Sequence, residues 1–301
     1  MNTRLMLTVA AWCLLLTACG GGGSGSAPVQ TPMGTVRISI TDAPVDEVTV
    51  VNVQFAGVTL KPQSGDEIEI TFDIPKDIDL LTLTGGMTAE LLSDTPVPAG
   101  RYNWVRLAVN AEFDNVFDSY VMVSTGQVEL RVPSNSGLQL VSGFSVTQNE
   151  TTDLVIDWDL RKALSDPVGL PGLHLQSALR VTDLSSSGTL RGTVDEMLIT
   201  AASCTNDLAA QTGNAVYVYQ GMTDTPGDIA DAANDPFVTA TVTQDGSGIY
   251  RYEVNFLPVD DYTAAFTCQA DDDFSDTDDD IEFSAPKPFT IEDGVTSDVN
   301  F

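Results

Sequence analysis

The residues with the greatest capacity for chemistry are carboxylates crowded late in the chain. Between positions 271 and 280, Asp271, Asp272, Asp273, Asp276, Asp278, Asp279 and Asp280 put seven acidic groups in ten residues. Charges this close repel one another, most of all at low salt, and a hard cation relieves them. Calcium takes roughly six to eight oxygen ligands, largely carboxylates. Asp271, Asp273, Asp276, Asp278 and Asp280 are therefore the candidate calcium ligands. The spacing departs from the EF-hand, since the central Gly is missing, and no glycine-rich nonapeptide repeat is present. The alternative is a solvated charge run between two strands. No other cofactor is indicated.

Catalytic chemistry is not legible. His174 is the only histidine and lies in an alternating stretch between Leu173 and Leu175. A nucleophilic Ser or Cys needs a base beside it. The G-x-S-x-G, H-E-x-x-H and P-loop patterns are absent. Acidic residues are so numerous that no particular pair stands out as a glycosidase dyad. The residues read as a non-enzyme.

The four cysteines divide into two pairs of different meaning. Arg4 followed by the apolar run 5–16 forms a secretory leader, too short for a bilayer-spanning helix of roughly 20 residues. Leu16-Thr17-Ala18-Cys19 closes the leader and resembles a bacterial lipobox, in which the Cys19 thiol takes a diacylglycerol and the chain is cut before it. Residues 1–18 are then the signal peptide and 19–33 a Gly/Ser-rich linker. Gly20 after the cysteine, in place of Asp, points to the outer membrane of a Gram-negative envelope. Cys13 leaves with the signal, so Cys204 and Cys268 remain in an oxidising compartment and are expected to form a disulfide. A metal pair is the alternative, and two cysteines with one histidine make a poor zinc site.

The chain of 301 residues carries a net charge of -30. Residues 191–301 hold 22 Asp/Glu against 3 Lys/Arg, and residues 1–190 hold 21 against 10. Such a field repels nucleic acid and anionic lipid. It leaves as partners the membrane reached through the lipid anchor, a glycan, or another envelope protein.

The elements that must hold these groups are strands. Val36, Ile38 and Ile40 alternate with polar residues, as do Val51, Val53 and Phe55. Leu154, Ile156, Trp158 and Leu160 line one face of a strand whose other face carries Asp157 and Asp159. Period two with regular turns predicts half-buried antiparallel strands and an all-β sandwich. Short helical pieces are expected at 88–92 and 161–165. A pocket around Asp42, Asp79, Arg106 and Asp157 is one reading of the polar positions. A structural pairing of Arg106 with Asp157 or Asp79 is the other.

The blocks I-S-I-T-D-A-P-V-D from Ile38, I-D-L-L-T-L from Ile78, V-P-A-G-R-Y-N-W-V-R-L from Val97, L-V-I-D-W-D from Leu154 and L-Q-S-A-L-R-V from Leu175 occur in this order. Together they resemble the bacterial domain of unknown function 4382 over 34–184. The resemblance implies an exported lipoprotein domain and no activity. His174 and Ser177 stand where that pattern usually has an aromatic residue and a proline.

After the hinge Ser185-Ser186-Ser187-Gly188, residues 189–301 repeat the alternation, with one helix expected at 226–233 behind Thr225 and Pro226. L-R-G-T-V from Leu190 and L-P-V-D-D-Y-T-A-A-F from Leu257 are similar to carboxypeptidase-regulatory-like or transthyretin-like domains, with Asp260 and Asp261 where a glycine is usual. Pro98-x-x-x-Tyr102 and Pro258-x-x-x-Tyr262 echo each other. The fold expected is thus two tandem antiparallel β-sandwich domains of immunoglobulin or transthyretin type. The function expected is a non-catalytic envelope binding module. The resemblance of the second half to sugar-binding-like sandwiches makes carbohydrate the first ligand class to test, with Tyr217, Tyr219, Tyr250 and Tyr252 as stacking candidates and core packing as the alternative. A structural or adhesin component of an envelope assembly, possible through calcium or strand addition, is the competing reading.

Overall fold

Alternation in the sequence becomes two facing sheets in each half of the chain. The computed structural model describes residues 31–43, 48–133, 137–140, 142–166 and 172–301, and Pro32–Phe301 form one compact unit. The leader, the lipobox with Cys19, and the Gly/Ser stretch up to residue 30 lie outside the described residues.

In the first half, one sheet runs in the order Leu179–Asp183, Thr151–Asp159, Met33–Ala43, Ala89–Pro98. The second is built around Val50–Pro62, paired with Ile68–Asp79, Gly100–Asn110 and Tyr120–Val123. Their apolar faces meet in one core, where Val36, Ile38 and Ile40 oppose Val51, Val53 and Phe55, and the Phe55 ring lies edge-on to Trp158 at 6.4 Å. The second half pairs a sheet of Thr243–Gln244, Tyr250–Pro258, Ser187–Val194 and Thr296–Asp298 with one of Val238–Thr241, Ala215–Gln220, Asp261–Thr267 and Lys287–Thr290. Leu190 and Val254 from the first face Val216, Val218 and Phe266 from the other.

The fold is all-β, as expected, but not purely antiparallel. Met33–Ala43 pairs in parallel with Thr151–Asp159, and Ser187–Val194 pairs in parallel with Thr296–Asp298. Parallel neighbours cannot be joined by a hairpin, so each half closes its first strand against one from much later in the chain. Two expected helices do not form. Residues 89–92 of the first belong to the strand Ala89–Pro98. Residues 226–233 are irregular chain and turns, with Ala230 at φ +77°, outside the helical region, and Ile229 buried. One helical turn does form within the expected 161–165 region, at Leu160–Ala163, where the Asp159 side chain accepts from the Lys162 N–H.

The Pro-x-x-x-Tyr echo has one physical basis. Tyr102 donates its hydroxyl hydrogen bond to the Pro98 carbonyl at 2.7 Å, and Tyr262 donates to Pro258 at 3.0 Å. Both rings are fully buried, stacked on Phe144 and Phe289 respectively. Each tyrosine therefore ties the end of one strand to the start of the next. Tyr102→Phe and Tyr262→Phe should each cost about 1 kcal/mol, the net worth of one such bond plus the carbonyl left unsatisfied, read from urea unfolding.

Candidate functional site

The polar face of Thr151–Asp159 meets water at Thr151 and Asp153 but not at its end. Asp157 and Asp159 are buried because the second half packs over them. The Asp159 carboxylate accepts from the Thr239 N–H at 2.8 Å and from the Thr239 hydroxyl at 3.0 Å. Asp157 is ion-paired with Arg180, whose guanidinium also donates to the Asn255 carbonyl at 3.2 Å and lies over the Phe237 ring. Burial pushes the Asp157 carboxyl up, and the Arg180 charge pulls it back. Arg161 donates to the Ala270 carbonyl at 2.9 Å, and Lys162 pairs with Asp235 at 2.7 Å. A cleft of about 540 Å³ runs along this seam, lined by Asp157, Asp159, Lys162, Arg180, Asn234 and Asp235 among others.

The expected partners of Arg106 are elsewhere. Arg106 lies over the Trp104 ring, donates to Gln139 and sits 3.7 Å from Glu67. Asp79 instead receives the Val51 and Leu81 N–H groups and caps the turn Leu80–Thr82. Asp42, Asp79, Arg106 and Asp157 thus do not form the common pocket that their types suggested.

The tyrosine candidates for sugar stacking are also corrected. Tyr217, Tyr219 and Tyr252 are each at most 3% exposed. Ala215–Gln220 is buried on both faces, because the loops 221–236 and 269–286 fold over the side that alternation would leave to solvent. Tyr217 packs edge-on against Phe283, and the Tyr219 hydroxyl donates to the Gly227 carbonyl at 2.6 Å. Tyr252 donates to the Val299 carbonyl at 2.6 Å, and Tyr250 is half-buried against the second core. None of the first three can offer a ring face to a ligand.

Those covering loops bring carboxylates together. Oxygens of Asp228, Asp273 and Asp279 lie within 4.8 Å of one another. Asp273 accepts a short hydrogen bond from the Tyr217 hydroxyl and one from the Ile229 N–H at 3.2 Å. Asp228 accepts from the Asp279 N–H, and Asp279 accepts from the Phe274 N–H at 2.8 Å. Of the ligand set expected from sequence, only Asp273 joins this group. Asp271 accepts from the Thr212 hydroxyl at 2.7 Å, while Asp276, Asp278 and Asp280 are exposed. Asp279 lay in the run but outside the chosen set. Asp228 falls in the expected helix at 226–233, which does not form, and no local signal links it to residue 273. These three side chains are the described residues that could hold a hard cation. Cys204 and Cys268 form the expected disulfide, across 64 positions, with Cα atoms 5.0 Å apart. Closing a loop of that length stabilises by about 4 kcal/mol in the chain-entropy picture.

Burial pushes the Asp273 carboxyl up to about 6, against the pull of the Tyr217 and Ile229 donors. The folded state therefore favours its protonated form. That stabilisation is full below the unfolded carboxyl range and disappears as pH rises through about 6. In chelator, unfolding free energy should drop by about 3 kcal/mol between acidic and neutral pH, the equivalent of about two pH units, and Asp273→Asn should flatten the profile. Millimolar calcium that restores the lost stability would identify the group as a cation site. Calcium without effect would leave the proton as the species that neutralises it.

The comparisons with known proteins bear on the first half. Residues 33–176 match the family model described as "Domain of unknown function (DUF4382)". These residues are a DUF4382 domain. The matched segment stops just short of Leu179–Asp183, so the last strand of its first sheet lies beyond the DUF4382 match. No curated protein sequence matches the chain. Among solved structures, the TIE protein of Bacillus anthracis is 13% identical with a TM-score of 0.20, over 90% of this chain and 34% of that one. The chain thus spans about a third of that protein's length. The minor pilin GBS52 of Streptococcus agalactiae is 12% identical with a TM-score of 0.19, over 88% and 94% of the two chains. The shaft pilin SpaA of Lactobacillus rhamnosus GG is 11% identical with a TM-score of 0.20, over 88% and 97%. Likeness at these scores carries no argument about function.

The seam itself is testable. Arg180→Ala leaves Asp157 buried without its counter-charge and should cost about 3 kcal/mol or more. Spin labels at the exposed Ser64 and Ser247 should give one narrow distance distribution in the wild type and a broadened one in this variant.

Proposed function

We propose that the protein is a non-catalytic module of the cell envelope, held by lipid at Cys19 and acting as a rigid binding or assembly component. The observation that carries this reading is the seam. Asp159, Arg161, Lys162 and Arg180 bond across it to the second half, and Arg180 is itself paired with Asp157, which couples the two pairs of sheets into one body rather than leaving them on a hinge. A body of this kind holds surfaces at a fixed separation, which serves assembly and adhesion more than turnover. The Gly/Ser stretch after Cys19 would then be the leash and the sandwiches the load. Strand addition is a poor route for its partners. The long edge strand Ile68–Asp79 is interrupted opposite Ala56, with Pro75 and the exposed Ile74 in the interruption, and the edge strand Ala89–Pro98 carries two prolines. Partners are therefore to be sought among loops and faces. A calcium ion at Asp228, Asp273 and Asp279 is a second element of the reading, favoured by their convergence.

Labelled palmitate should mark the wild type in its host and not Cys19→Ser, and the variant should be recovered soluble and folded. Equal labelling of both, or none of the wild type, would remove the tether from this reading.

A further inference from the structure

Residues 111–119 link Gly100–Asn110 to Tyr120–Val123, and the chain leaves the sheet there to do so. The excursion exposes three large apolar side chains within five residues: Phe113 at 43%, Val116 at 52% and Phe117 at 44%. Single exposed apolar residues are ordinary, but a cluster on one loop costs solubility and marks an interaction site.

This loop is held, not loose. Glu129 is only 5% exposed, and its carboxylate is turned to the loop backbone, accepting from the Asp114 N–H at 3.1 Å and the Asn115 N–H at 2.9 Å. Asn115 adopts the left-handed conformation at φ +67°, and Asp114 accepts from the Val116 N–H at 2.9 Å. The base is closed by the Ser119 hydroxyl donating to the Asn110 carbonyl at 2.6 Å and by the Asn52 amide donating to the Asp118 carbonyl at 3.1 Å. A buried carboxylate is thus committed to fixing a loop whose apolar side chains face water. Such pre-organisation lowers the ordering cost of binding and does nothing for the core.

Charge decides the kind of partner. Glu112, Asp114 and Asp118 alternate with the apolar residues. These carboxylates disfavour an anionic bilayer and favour an apolar pocket rimmed by Lys and Arg. We propose that residues 111–119 are a pre-formed docking site for a partner protein that presents such a basic-rimmed pocket, with Phe113 and Phe117 as the anchors. The inference stands on the loop and not on the lipid tether, so loss of palmitate labelling would leave it intact.

The test places a photoreactive phenylalanine analogue at Phe117 in cells that naturally make the protein. A polypeptide adduct is expected. The captured protein, purified, should bind the wild type with affinity that falls as salt rises from about 0.05 to about 0.5 M, as a charged rim requires. Phe113→Ser with Phe117→Ser should weaken binding at least tenfold with an unchanged thermal melt, while Ile74→Ser, an exposed control on the strand Ile68–Asp79, should have no effect. Glu129→Ala, which frees the loop and keeps both rings, should weaken it several-fold. A lipid adduct alone, no adduct, or a captured protein that binds the double serine variant as well as the wild type would overturn the proposal.

Discussion

Everything in this architecture depends on how two aspartates are neutralised. The strand Thr151–Asp159 is central to its sheet, and its second face ends in Asp157 and Asp159. Packing the second half onto that face removes both carboxylates from water, a cost of several kcal/mol for each charge unless partners are supplied. Arg180 supplies one, and the Thr239 backbone and hydroxyl supply the other. Arg180 stands on the neighbouring strand of the same sheet, so the seam is keyed by Thr239 meeting Asp159 and by Arg180 reaching the Asn255 carbonyl. That selects one arrangement of the halves, and it explains why neighbouring Arg161 and Lys162 are also turned towards the second half.

The strands of both halves were legible from the sequence because period-two alternation reports a face buried against a partner sheet. The same signal failed where a strand is buried on both faces. In Ala215–Gln220, Tyr217 and Tyr219 occupy the positions that alternation assigns to solvent, and only the covering loops make them core. The expected helix at 226–233 failed for a related reason. Thr225, Pro226 and Asp228 have the right types for a helix start, yet tertiary contacts claim Asp228 for the carboxylate group and Ile229 for the apolar cluster. The disulfide was legible from the cysteine count together with the expectation of an oxidising compartment. The partner of Arg106 was not, since nothing in the sequence distinguishes Glu67 from Asp79 or Asp157.

The acidity of the second half is unevenly used. Most of its carboxylates face water, and Asp276, Asp278 and Asp280 act as a solvated run. Asp228 and Asp273 are instead drawn inward by the loops that seal Tyr217 and Tyr219. A sequence rich in Asp thus serves two ends that composition cannot separate: repulsion at the surface and hydrogen-bond acceptance beneath it.

The parallel pairing of early with late strands bears on how the chain reaches this state. Met33–Ala43 finds its neighbour only when Thr151–Asp159 is present, and Ser187–Val194 waits for Thr296–Asp298. Contacts so distant in sequence raise contact order and slow folding, since loop closure precedes the reward of pairing. The first half cannot complete its sheets before Leu179–Asp183 is made, nor the second before Thr296–Asp298. Each half is thus clasped by its own early and late strands, so loss of the late strand strips the first of its parallel neighbour.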